Sequence, residues 1–567
     1  VSLAWSAFTL WQVYHELSQA RRAAIALRAG IYDDDKAARN EAAYDLADAA
    51  SAAADHTGGV WWRLMTWTPV VGDDLAGVGA VSQSMDAVAN DGMRPLLSSL
   101  DQLDHVTVDR RVDLGLVARL RDPIEQARQA FVEAEQGLAD EKSSGYLGPL
   151  QTRYDEYAAL IAETRRALAS ADKALDVLPE LVGAHGPRDY LLVFQNNAEI
   201  RATAGLPGSW ALVHAEDGLL TMEEQDGGGF FPETAKPVLP LTPGEAQVYG
   251  PQLGTYFRDA NFTPDFPRAA ALMDAQWARS FPGVPLDGVI SIDVRALSYL
   301  LQGVGPVEVE AVAGAVLTKD NVVDALLKVA YERFAPDQQN DVFEAAAKAI
   351  FEASKGDIES PLKLVRGLDR ATTEGRFRIS LLDGPDADLL DGTRVRGVLA
   401  GDDGSTPHVD IGLNDATGAK MSYYLSYTIE LDAAECTDGV QTLQGSVRLG
   451  QSISGADAKA LPDYVTGAAR YGIPVGQQLV LVRLYAPYGG RISDVEVDGQ
   501  AIDQDVLQVV ELGGRPVVTL TAQLADPEGT ELSWRMRTGP GQTGDTELRV
   551  TPSILPGTSD ATVASAC

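Results

Sequence analysis

The chain has 567 residues, of which 45% are hydrophobic and 22% are charged, so it is long enough for several cores and its composition is not that of a disordered protein. Its 81 acidic and 46 basic residues give a formal net charge of −35, which argues against a nucleic acid as a partner. An anionic membrane or glycopolymer would need a local basic pocket on such an acidic chain.

The first segment, VSLAWSAFTLWQVYHEL, is apolar and aromatic. Too few residues precede its first charged residue, Glu16, for the roughly 20 that a membrane-spanning helix needs. Because the sequence has no initiator methionine, we expect it to begin inside a longer polypeptide. Residues 1–11 are then predicted to be the outer end of a transmembrane helix.

Tryptophan is concentrated near the beginning of the chain. Five of the eight tryptophans lie in the first 67 residues, namely Trp5, Trp11, Trp61, Trp62 and Trp67. Tryptophan is enriched where a protein meets the membrane interface, so these side chains could form an interfacial aromatic belt. For Trp61, Trp62 and Trp67 the alternative is that they are core aromatics of a helical domain.

A series of helices is predicted from about Trp11 to Leu181, where Ala, Leu, Glu, Arg and Gln dominate and apolar residues recur at helical spacing. Glycine and proline interrupt the pattern at DHTGG, TPVVGDD and KSSGYLGP. Long amphipathic helices joined by short turns indicate a helical bundle or a stalk. We therefore predict a membrane-proximal helical domain over residues 1–185.

The pattern changes at LVGAHGPRDY, where glycine and proline end the helical period just before a continuous apolar run. From there to about Leu413, short β-rich segments such as SWALVHA and DGVISID alternate with helical segments. This alternation favours a sheet covered by helices. We predict an α/β domain over residues 186–415.

The remaining residues, 416–567, predict an antiparallel β-sandwich. Segments such as SYYLSYTIEL, VVTLTAQL and ELSWRMRT alternate apolar and polar residues, and glycine-rich turns separate them. The chain has two cysteines, Cys436 and Cys567, which could form a disulfide between two edges of the sandwich in an oxidising compartment. Buried free thiols are the alternative, and the spacing alone does not decide. The whole chain is thus predicted to be multidomain α+β.

A polar cluster follows the apolar run in YLLVFQNNAEIRATAGLPGSW, where we predict a strand that runs into a polar loop. Open α/β sheets usually bind ligands at the carboxyl ends of their strands. Arg201 could bind a phosphate or carboxylate through two parallel hydrogen bonds, with Asn196 and Asn197 donating to the anion and Glu199 orienting the arginine or accepting a proton. The alternative is structural: these side chains satisfy backbone groups, and Arg201 forms an ordinary ion pair with Glu199.

A second polar cluster lies in TYFRDANFTPDFPRAA. Arg258 and Arg268 could join Arg201 in a basic pocket, together with Asp259 and Asp265. The structural alternative is that Asp265 caps the helix that begins near Phe266, while Arg258 and Asp259 lie on the surface. The glycines at 227–229 could also let backbone amides approach an anion, although such loops are more often only flexible.

Several enzyme classes lose their usual sequence support. The chain contains no G-x-S-x-G, no P-loop lysine motif and no G-x-G-x-x-G on a strand-to-helix turn. Its two cysteines are far apart and its six histidines are scattered, so we predict no zinc site and no protein metal site of this kind. Hydrolase, kinase, dehydrogenase and zinc-enzyme readings are therefore not favoured.

Several motifs of this chain occur together and in order in one family. YLLVFQNNAEIRATAGLPGS, RDANFTPDFPRAA, DGVISIDVRALSYLLQGVGPVEV and LPDYVTG resemble the motifs of the actinobacterial envelope family known as domain of unknown function 4012. With the helical first part, the resemblance covers nearly the whole chain. It implies a membrane-anchored, extracytoplasmic protein, often associated with surface-polysaccharide genes, but no established reaction.

The segment DGVISIDVRALSYLLQGVGPVEVE is also similar to a segment of the LytR-CpsA-Psr proteins, which transfer glycopolymers from polyprenyl pyrophosphate carriers to the cell wall. Those enzymes hold the pyrophosphate with arginines and aspartates and use a divalent cation. By position, Arg201 resembles their first arginine. The pattern departs from theirs at Asn196 and Asn197, where an acidic residue would be expected, and in PDQQNDVFEAAAKAIF, which lacks the arginines of the corresponding helix.

Two functions follow as hypotheses. The first is an envelope protein on the extracytoplasmic face of the membrane that binds or transfers a lipid-linked or polymeric glycan phosphate, using Arg201 and Arg258 as anion clamps. Transfer would need a metal or an acid to stabilise the leaving pyrophosphate. The second is a non-catalytic scaffold that makes protein contacts in the envelope, in which the Asn-Asn-Glu-Arg segment only fastens the sheet.

Overall fold

The computed structural model of the chain describes residues 2–69, 71–100, 107–309, 315–356, 358–382, 384, 386–525, 527, 529–555 and 560–567. Within these ranges the side chains of 2–7, 336 and 337 lie outside the description, and that of Trp5 is among them. The fold is mixed α+β, as predicted. It forms two compact units: unit 1 comprises Val1–Gly186, Asp217–Leu219 and Ser360–Lys363, and unit 2 the rest. The predicted division into three domains stays a prediction.

Unit 1 is built mainly of helices that pack through small side chains. The helices are α1 (Ser2–Asp33), α2 (Lys36–Gly58), α3 (Val60–Met65), α4 (Gly72–Ala87), α5 (Arg94–Leu100), α6 (Leu114–Ala139) and α7 (Gly148–Leu181), and a short hairpin consists of β1 (Thr107–Val108) and β2 (Arg111–Val112). Ala20 of α1 and Ala50 of α2 are fully buried in one core, which lets the two helices approach closely. Asp35 accepts a hydrogen bond from the amide of Ala38 and so caps α2.

The tryptophans of unit 1 divide between its core and its surface. Trp62 is buried with Val13 and Leu75, and its indole nitrogen donates to the carbonyl of Leu75. Trp61 and Trp67 are exposed, at 41% and 88% of their surface. Of the two alternatives for this segment, the core reading holds for Trp62 and does not hold for the other two. In the described part of the chain, no helix combines the length and the apolar character needed to cross a membrane.

The first strands of unit 2 lie side by side in the order β5-β4-β3-β6-β9. Strands β3 and β6 run parallel, whereas β3 with β4 and β6 with β9 are antiparallel. The strands are β3 (Arg188–Arg201), β4 (Ala204–Glu216), β5 (Leu219–Gly227), β6 (Gly288–Asp293), the β7 (Val307–Val309) and β8 (Ala315–Leu317) pair, and β9 (Phe377–Leu381). The helices are α8 (Pro243–Val248), α9 (Gln252–Thr255), α10 (Phe266–Ser280), α11 (Val294–Val304), α12 (Val322–Asp324), α13 (Ala330–Arg333), α14 (Pro336–Ala353) and α15 (Pro361–Thr373).

An aromatic core lies against this sheet. Trp210 of β4 packs edge to face on Trp277 of α10, with ring centroids 5.3 Å apart, and both side chains are almost fully buried. Phe266, the first residue of α10, is buried in the same core. The helix is therefore held on the sheet at its first turn, next to the polar cluster predicted around Asp265.

The polar stretch that follows the apolar run of β3 is not a loop. Strand β3 continues through it to Arg201 and turns directly into β4, and its register with β4 shifts between Asn196 and Ile200. Such a bulge leaves backbone groups without ladder partners, and side chains replace them. The side-chain oxygen Oε1 of Gln195 accepts from the backbone amide of Gly205, and Oδ1 of Asn196 accepts from the backbone amide of Ala198. A Cβ at Gly205 would lie 2.4 Å from the carbonyl carbon of Asn196, so this close crossing requires glycine.

Two further sheets of unit 2 share one apolar core. Their strand orders are β16-β17-β13-β10-β19-β20 and β11-β12-β18-β14-β15. The strands are β10 (His408–Asp415), β11 (Leu425–Thr437), β12 (Val440–Gln451), β13 (Gln478–Tyr485), β14 (Arg491–Val497), β15 (Gln500–Ala501), β16 (Val509–Leu512), β17 (Arg515–Leu524), β18 (Thr530–Arg537), β19 (Thr546–Val550) and β20 (Asp560–Val563), and two short helices are α16 (Gly455–Lys459) and α17 (Asp463–Thr466). Val447 and Val482 are buried in the core from the two sheets. A disulfide joins Cys436 of β11 to Cys567.

Candidate functional site

Arg201 lies in a buried group of charged side chains at the end of β3, which we call the Arg201 network: Glu199, Arg201, Asp259, Asp415 and Lys420. One nitrogen of the Arg201 guanidinium is 2.7 Å from a carboxylate oxygen of Glu199 and 3.7 Å from one of Asp259. The other carboxylate oxygen of Glu199 lies 2.7 Å from the ammonium of Lys420. The side chain of Arg201 is 6% exposed. It is therefore already paired with carboxylates and is not an open clamp for an external anion.

Backbone and aromatic contacts complete the surroundings of Arg201. Its second terminal nitrogen donates to the carbonyl of Ile200 at 3.1 Å and to that of Asp415 at 3.3 Å. The guanidinium also lies over the ring of Phe262, 4.8 Å from the ring centre. These contacts hold the plane of the guanidinium in one orientation, so the arginine cross-links the end of β3 to the end of β10.

Burial and charge act in opposite directions on the carboxyl groups of the network. Burial alone would raise the pKa of Glu199, but the charges of Lys420 and Arg201 hold this pKa at about 2. Burial raises the pKa of Asp415 to about 6, and the negative charge of Glu199 adds to that effect. Burial also raises the pKa of Asp259. Glu199 is thus the fixed anion of the network, and the two aspartates are held less favourably in their charged forms.

The two asparagines of the polar stretch are buried and make internal hydrogen bonds. The amide nitrogen of Asn196 donates to the hydroxyl of Tyr331, and that of Asn197 donates to Asp293 at 2.8 Å. Asp293 also caps α11 by accepting from Ala296 and pairs with Arg376 at 2.9 Å. The side-chain amides of Asn196 and Asn197 therefore bond to Tyr331 of α13 and to Asp293, which caps α11, rather than to an external anion.

The predicted basic pocket of Arg201, Arg258 and Arg268 does not form as expected. Arg268 makes a two-pronged ion pair with Glu245, with nitrogen to oxygen distances of 2.6 and 3.1 Å. Arg258 is exposed, whereas Arg201 is buried. The three arginines therefore do not share one pocket. Arg201 is buried, Arg268 is in a separate ion pair with Glu245, and Arg258 is exposed to solvent.

Asp265 stands at the first position before α10, as predicted, but its side chain makes no cap hydrogen bond. One of its oxygens instead accepts from the amide of Leu399 at 3.2 Å, and burial raises its pKa to about 6. This carboxyl group therefore connects α10 to the segment before β10. It fastens two parts of unit 2.

The glycine run at 227–229 serves close packing. The amide of Gly228 donates to the carbonyl of Gly208, and that of Gly227 to the side chain of Asp226. A Cβ at Gly228 would lie 2.1 Å from the carbonyl oxygen of Pro207, so the chain needs glycine at this position. Two of the three amides considered for anion binding are therefore already used inside the protein.

The Arg201 network does not suit a divalent cation. Its carboxylates face the guanidinium of Arg201 and the ammonium of Lys420, which already neutralise Glu199. A hard cation prefers several free oxygen ligands. No group of three or more His, Cys, Asp or Glu side chains that could hold a metal occurs among the residues that the structure describes. The cation that the resemblance implies therefore finds no ligand set in this network.

Two groups of residues were missed by the sequence reasoning. Asp415 and Lys420 complete the Arg201 network from positions more than 200 residues further along the chain, as their hydrogen bonds to Arg201 and Glu199 show. A single sequence gives no signal for such pairs. Arg376 and Arg378, by contrast, alternate with Phe377 and Ile379 in GRFRIS, which places two arginines on one face of a strand. The alternation of arginines and apolar residues could have been recognised in the sequence.

The segment that carries the predicted site residues matches a known family. Residues 185–331 fit the model of a family described as "Protein of unknown function (DUF4012)". This segment of the chain belongs to that family. The DUF4012 segment contains Asn196, Asn197, Glu199, Arg201 and Asp259, whereas Asp415 and Lys420 lie outside it. The charged network therefore joins the DUF4012 segment to strands that the family model does not cover.

Two other comparisons add little. No curated protein matches the chain. A solved structure that is similar is the Lin1025 protein from Listeria innocua, at 14% identity over 40% of this chain and 85% of that one, with a TM-score of 0.19. A likeness at that score carries no argument about the DUF4012 segment.

Proposed function

We propose that the chain is an extracytoplasmic, membrane-anchored protein of the cell envelope that binds a phosphate-linked glycopolymer or a lipid-linked glycan. The observation that carries this proposal is a set of exposed side chains on α1, on α3 and just after α3, which we call the aromatic end of unit 1: Phe8, Trp11, Trp61, Leu64 and Trp67. Trp11 is 59% exposed, Leu64 60% and Trp67 88%. Tryptophan and leucine side chains in such positions suit the interface between lipid head groups and acyl chains.

The aromatic end is assembled from separate helices. Val13 of α1 and Trp62 of α3 are buried in one core cluster, so the two helices meet close in sequence to the exposed Trp11 and Trp61. Residues 57–72 contain no Asp or Glu, and Arg63 is their only charged residue, although the chain as a whole carries a net charge of −35. A segment without acidic residues is not repelled by anionic lipid head groups. The composition of this end therefore favours a membrane surface over a position in bulk water.

The disulfide supports a location outside the cytoplasm. Cys436 and Cys567 are bonded, and their Cα atoms are 5.0 Å apart. Disulfides persist mainly in oxidising compartments and are rare where thiols are kept reduced. No free cysteine is found among the described residues. This fits a protein that folds on the extracytoplasmic face of a membrane.

We extend the proposal to the organisation of the chain. It would have a helical bundle over 1–185, a LytR-CpsA-Psr-like α/β domain over 186–415 and a β-sandwich over 416–567. The segment that resembles the LytR-CpsA-Psr proteins forms β6, α11 and β7 in succession, with β6 parallel to β3. The resembling segment is therefore a strand, a helix and a second strand in succession.

The proposed role is binding rather than transfer. Transfer of a glycan phosphate needs groups that stabilise the leaving pyrophosphate at the reacting centre. The charged groups at the end of β3 are paired with one another and buried, which leaves that place without a free arginine or cation ligand. A binding protein needs only a site where the phosphate is held.

Vesicle binding of the 567-residue chain tests the membrane part. We expect it to float with phosphatidylcholine and phosphatidylglycerol vesicles and a Leu64→Ser/Trp67→Ser double variant to bind at least about tenfold more weakly, because burying each such side chain is worth more than 1 kcal/mol. The matched control is Tyr471→Ser/Val506→Ser, which removes two exposed apolar side chains from unit 2. Equal vesicle binding by the parent and the Leu64→Ser/Trp67→Ser variant would refute this part.

Titration with a glycopolymer tests the ligand. We expect the chain to bind a phosphate-bearing surface glycan and to bind the same glycan much more weakly after its phosphate is removed. The second candidate, a non-catalytic scaffold, is favoured by the internal pairing of the Arg201 network. It predicts no saturable binding to either glycan and a stable complex with another envelope protein.

A further inference from the structure

A solvent-open cleft in unit 2 collects arginines that the sequence analysis did not consider. It lies between the turn of the β3–β4 hairpin, the start of β9, the segment before β10, and strands β10, β19 and β20, and its volume is about 560 Å³ when the adjoining open solvent is included. Arg378, Arg394 and Arg549 line it, together with Glu374, Asp410 and Asp560. We call this place the arginine cleft. A cluster of three arginines in one cleft is unusual in a chain with a net charge of −35.

Two of the three carboxylates in the cleft are already paired elsewhere. Asp410 lies 2.6 Å from the guanidinium of Arg515, outside the cleft lining. Glu374 pairs with Arg376 at 2.5 Å and with Arg370 at 2.7 Å. Neither anion forms an ion pair with an arginine of the cleft, although the charge of Asp410 still acts on Arg378 from a greater distance.

The third carboxylate, that of Asp560, has no guanidinium within ion-pair distance among the described residues. It accepts from the amide of Val550 at 3.3 Å, and burial raises its pKa to about 6. It offsets at most one of the three positive charges. The arginine cleft thus has an excess of positive charge.

Arg378 is the arginine at the base of the cleft. One of its terminal nitrogens donates to the carbonyl of Thr203 at 2.5 Å, and no described carboxylate lies within ion-pair distance of it. Burial lowers its pKa to about 10, which means that the protein disfavours the charge it carries. A bound oxyanion would supply the missing counter-charge.

Two glycines leave room for the guanidinium of Arg378. Gly375 and Gly397 have φ values of +66° and +64°, in the left-handed region that favours glycine. A Cβ at Gly375 would lie 2.9 Å from a terminal nitrogen of Arg378, and one at Gly397 would lie 2.7 Å from its Cδ. The backbone on both sides is therefore shaped around this side chain.

The other two arginines keep donors available. Arg549 donates one nitrogen to the carbonyl of Val398 at 3.1 Å and has a second one 3.4 Å from Glu547. An arginine has five N–H groups, so these contacts leave others free. Arg394 is exposed in a short turn that ends at Gly397, and no ion pair of it is found within the described ranges. Forked guanidinium donors match the oxygens of a phosphate group.

We propose that Arg378, Arg394 and Arg549 form a binding site for a doubly charged phosphate group, as in a pyrophosphate or a phosphate monoester. The site deepens the proposed function by naming where the phosphate of the glycan is held, and it rests on that function only for the source of the phosphate. Arg378 binds from the base of the cleft, Arg549 from one wall, and Arg394 at the mouth. The site is separate from the Arg201 network, whose arginine is already paired.

Inorganic pyrophosphate is the first probe, titrated into the 567-residue chain by calorimetry at constant salt. We expect saturable binding that weakens at least about tenfold in Arg394→Met and in Arg549→Met, because each removes charge-assisted hydrogen bonds. Arg394→Lys keeps the charge without the fork and should fall between them and the parent. The matched control is Arg258→Met, which removes an exposed arginine that does not line the cleft. Affinities equal to the parent in both Arg394→Met and Arg549→Met, or no saturable binding by the parent, would overturn the proposal.

Two further titrations distinguish the sources of the phosphate. One uses a soluble phosphate-bearing glycopolymer and the other a polyprenyl diphosphate in phosphatidylcholine vesicles. If the parent binds pyrophosphate through the cleft but neither glycan nor lipid, the cleft stands and the proposed function fails. If the parent binds either ligand and Arg394→Met binds it equally well, the proposed function stands and the cleft fails.

Discussion

Unit 2 contains two groups of arginines, and they differ in what neutralises them. In the Arg201 network, Arg201 has carboxylates of Glu199 and Asp259 beside it and is almost fully buried. In the arginine cleft, Arg378 donates to a backbone carbonyl and has no described carboxylate within ion-pair distance. An arginine whose charge is matched within the fold acts as a cross-link, whereas an unmatched arginine in an open cleft is available to a ligand. The sequence pointed to Arg201 as the anion-binding residue, whereas the structure favours the arginines of the cleft.

The largest expected effect comes from breaking the Arg201 network. Arg201→Met should lower the free energy of unfolding by about 3 to 5 kcal/mol, because Asp259 loses its arginine and Glu199 keeps only Lys420 as a counter-charge in a buried place. Urea denaturation followed by circular dichroism measures this change.

The matched control for this prediction is Arg279→Met, because Arg279 is exposed in the last turn of α10 and no ion pair of it is found among the described residues. It should change the free energy of unfolding by no more than about 0.5 kcal/mol. The double variant Arg201→Met/Asp259→Asn should cost less than the sum of its single variants, since it removes both members of one ion pair. If Arg201→Met were as mild as Arg279→Met, the network would not be a cross-link.

Loss of the disulfide should loosen the strands that line the arginine cleft more than it loosens the Arg201 network. It ties β11 to the residues after β20, and Asp560 at the start of β20 lines the cleft. The bond closes a loop with a sequence separation of 131, so its reduction should lower the free energy of unfolding by about 2 to 5 kcal/mol.

Hydrogen exchange localises this effect. Reduction should speed exchange of the amides of β19 and β20, while the β3–β4 hairpin keeps its protection, because the ladder between β3 and β4 and the hydrogen bond from the amide of Ala202 to Asn414 of β10 do not involve β19 or β20. Cys567→Ser without reductant is the matched variant and should behave in the same way. Faster exchange in the hairpin alone would contradict the expected separation between the two regions.

Patterns of period two and period 3.6 allowed much of the secondary structure to be predicted. The alternation of Leu425, Tyr427, Ile429 and Leu431 matches the buried face of β11. The glycine at 59 indeed separates α2 from α3. Such patterns are local, and burial of one face is enough to produce them.

The polar part of β3 could not be predicted in this way because a bulge breaks its alternation. The side chains of Gln195 and Asn196 bond to backbone groups that the ladder leaves free, so a polar sequence is found inside a strand. The same residues in a loop would look identical in the sequence. The partners Asp415 and Lys420 come from a distant segment, and only the fold brings them to Arg201 and Glu199.

Stability should depend on pH through Asp415 of the network. Its folded pKa of about 6 lies above the usual value of 3.8, so the folded state binds this proton more tightly than the unfolded state. The contribution to stability is present below the unfolded pKa and is lost as the pH rises through about 6. Two pKa units correspond to about 2 to 3 kcal/mol.

An isosteric variant isolates that contribution. Asp415→Asn keeps the oxygen that accepts from the amide of Gly418 but cannot ionise. The variant is compared with the parent at each pH, and its advantage in free energy of unfolding should be about 2 kcal/mol larger at pH 7 than at pH 4.5. Urea denaturation at the two pH values measures it. A constant difference between variant and parent across this range would show that Asp415 does not titrate as described.

The smallest expected effect is that of Arg378→Met in the cleft, and it gives the sharpest contrast with Arg201→Met. The substitution loses one hydrogen bond to the carbonyl of Thr203 but also removes a charge that burial disfavours. These changes oppose each other, so the free energy of unfolding should move by no more than about 1 kcal/mol in the absence of ligand. Saturating pyrophosphate should stabilise the parent against urea and leave Arg378→Met nearly unchanged, because only a ligand that binds the folded state shifts its stability. A loss of several kcal/mol without ligand would instead make Arg378 a cross-link like Arg201, and the distinction between the two groups of arginines would then disappear.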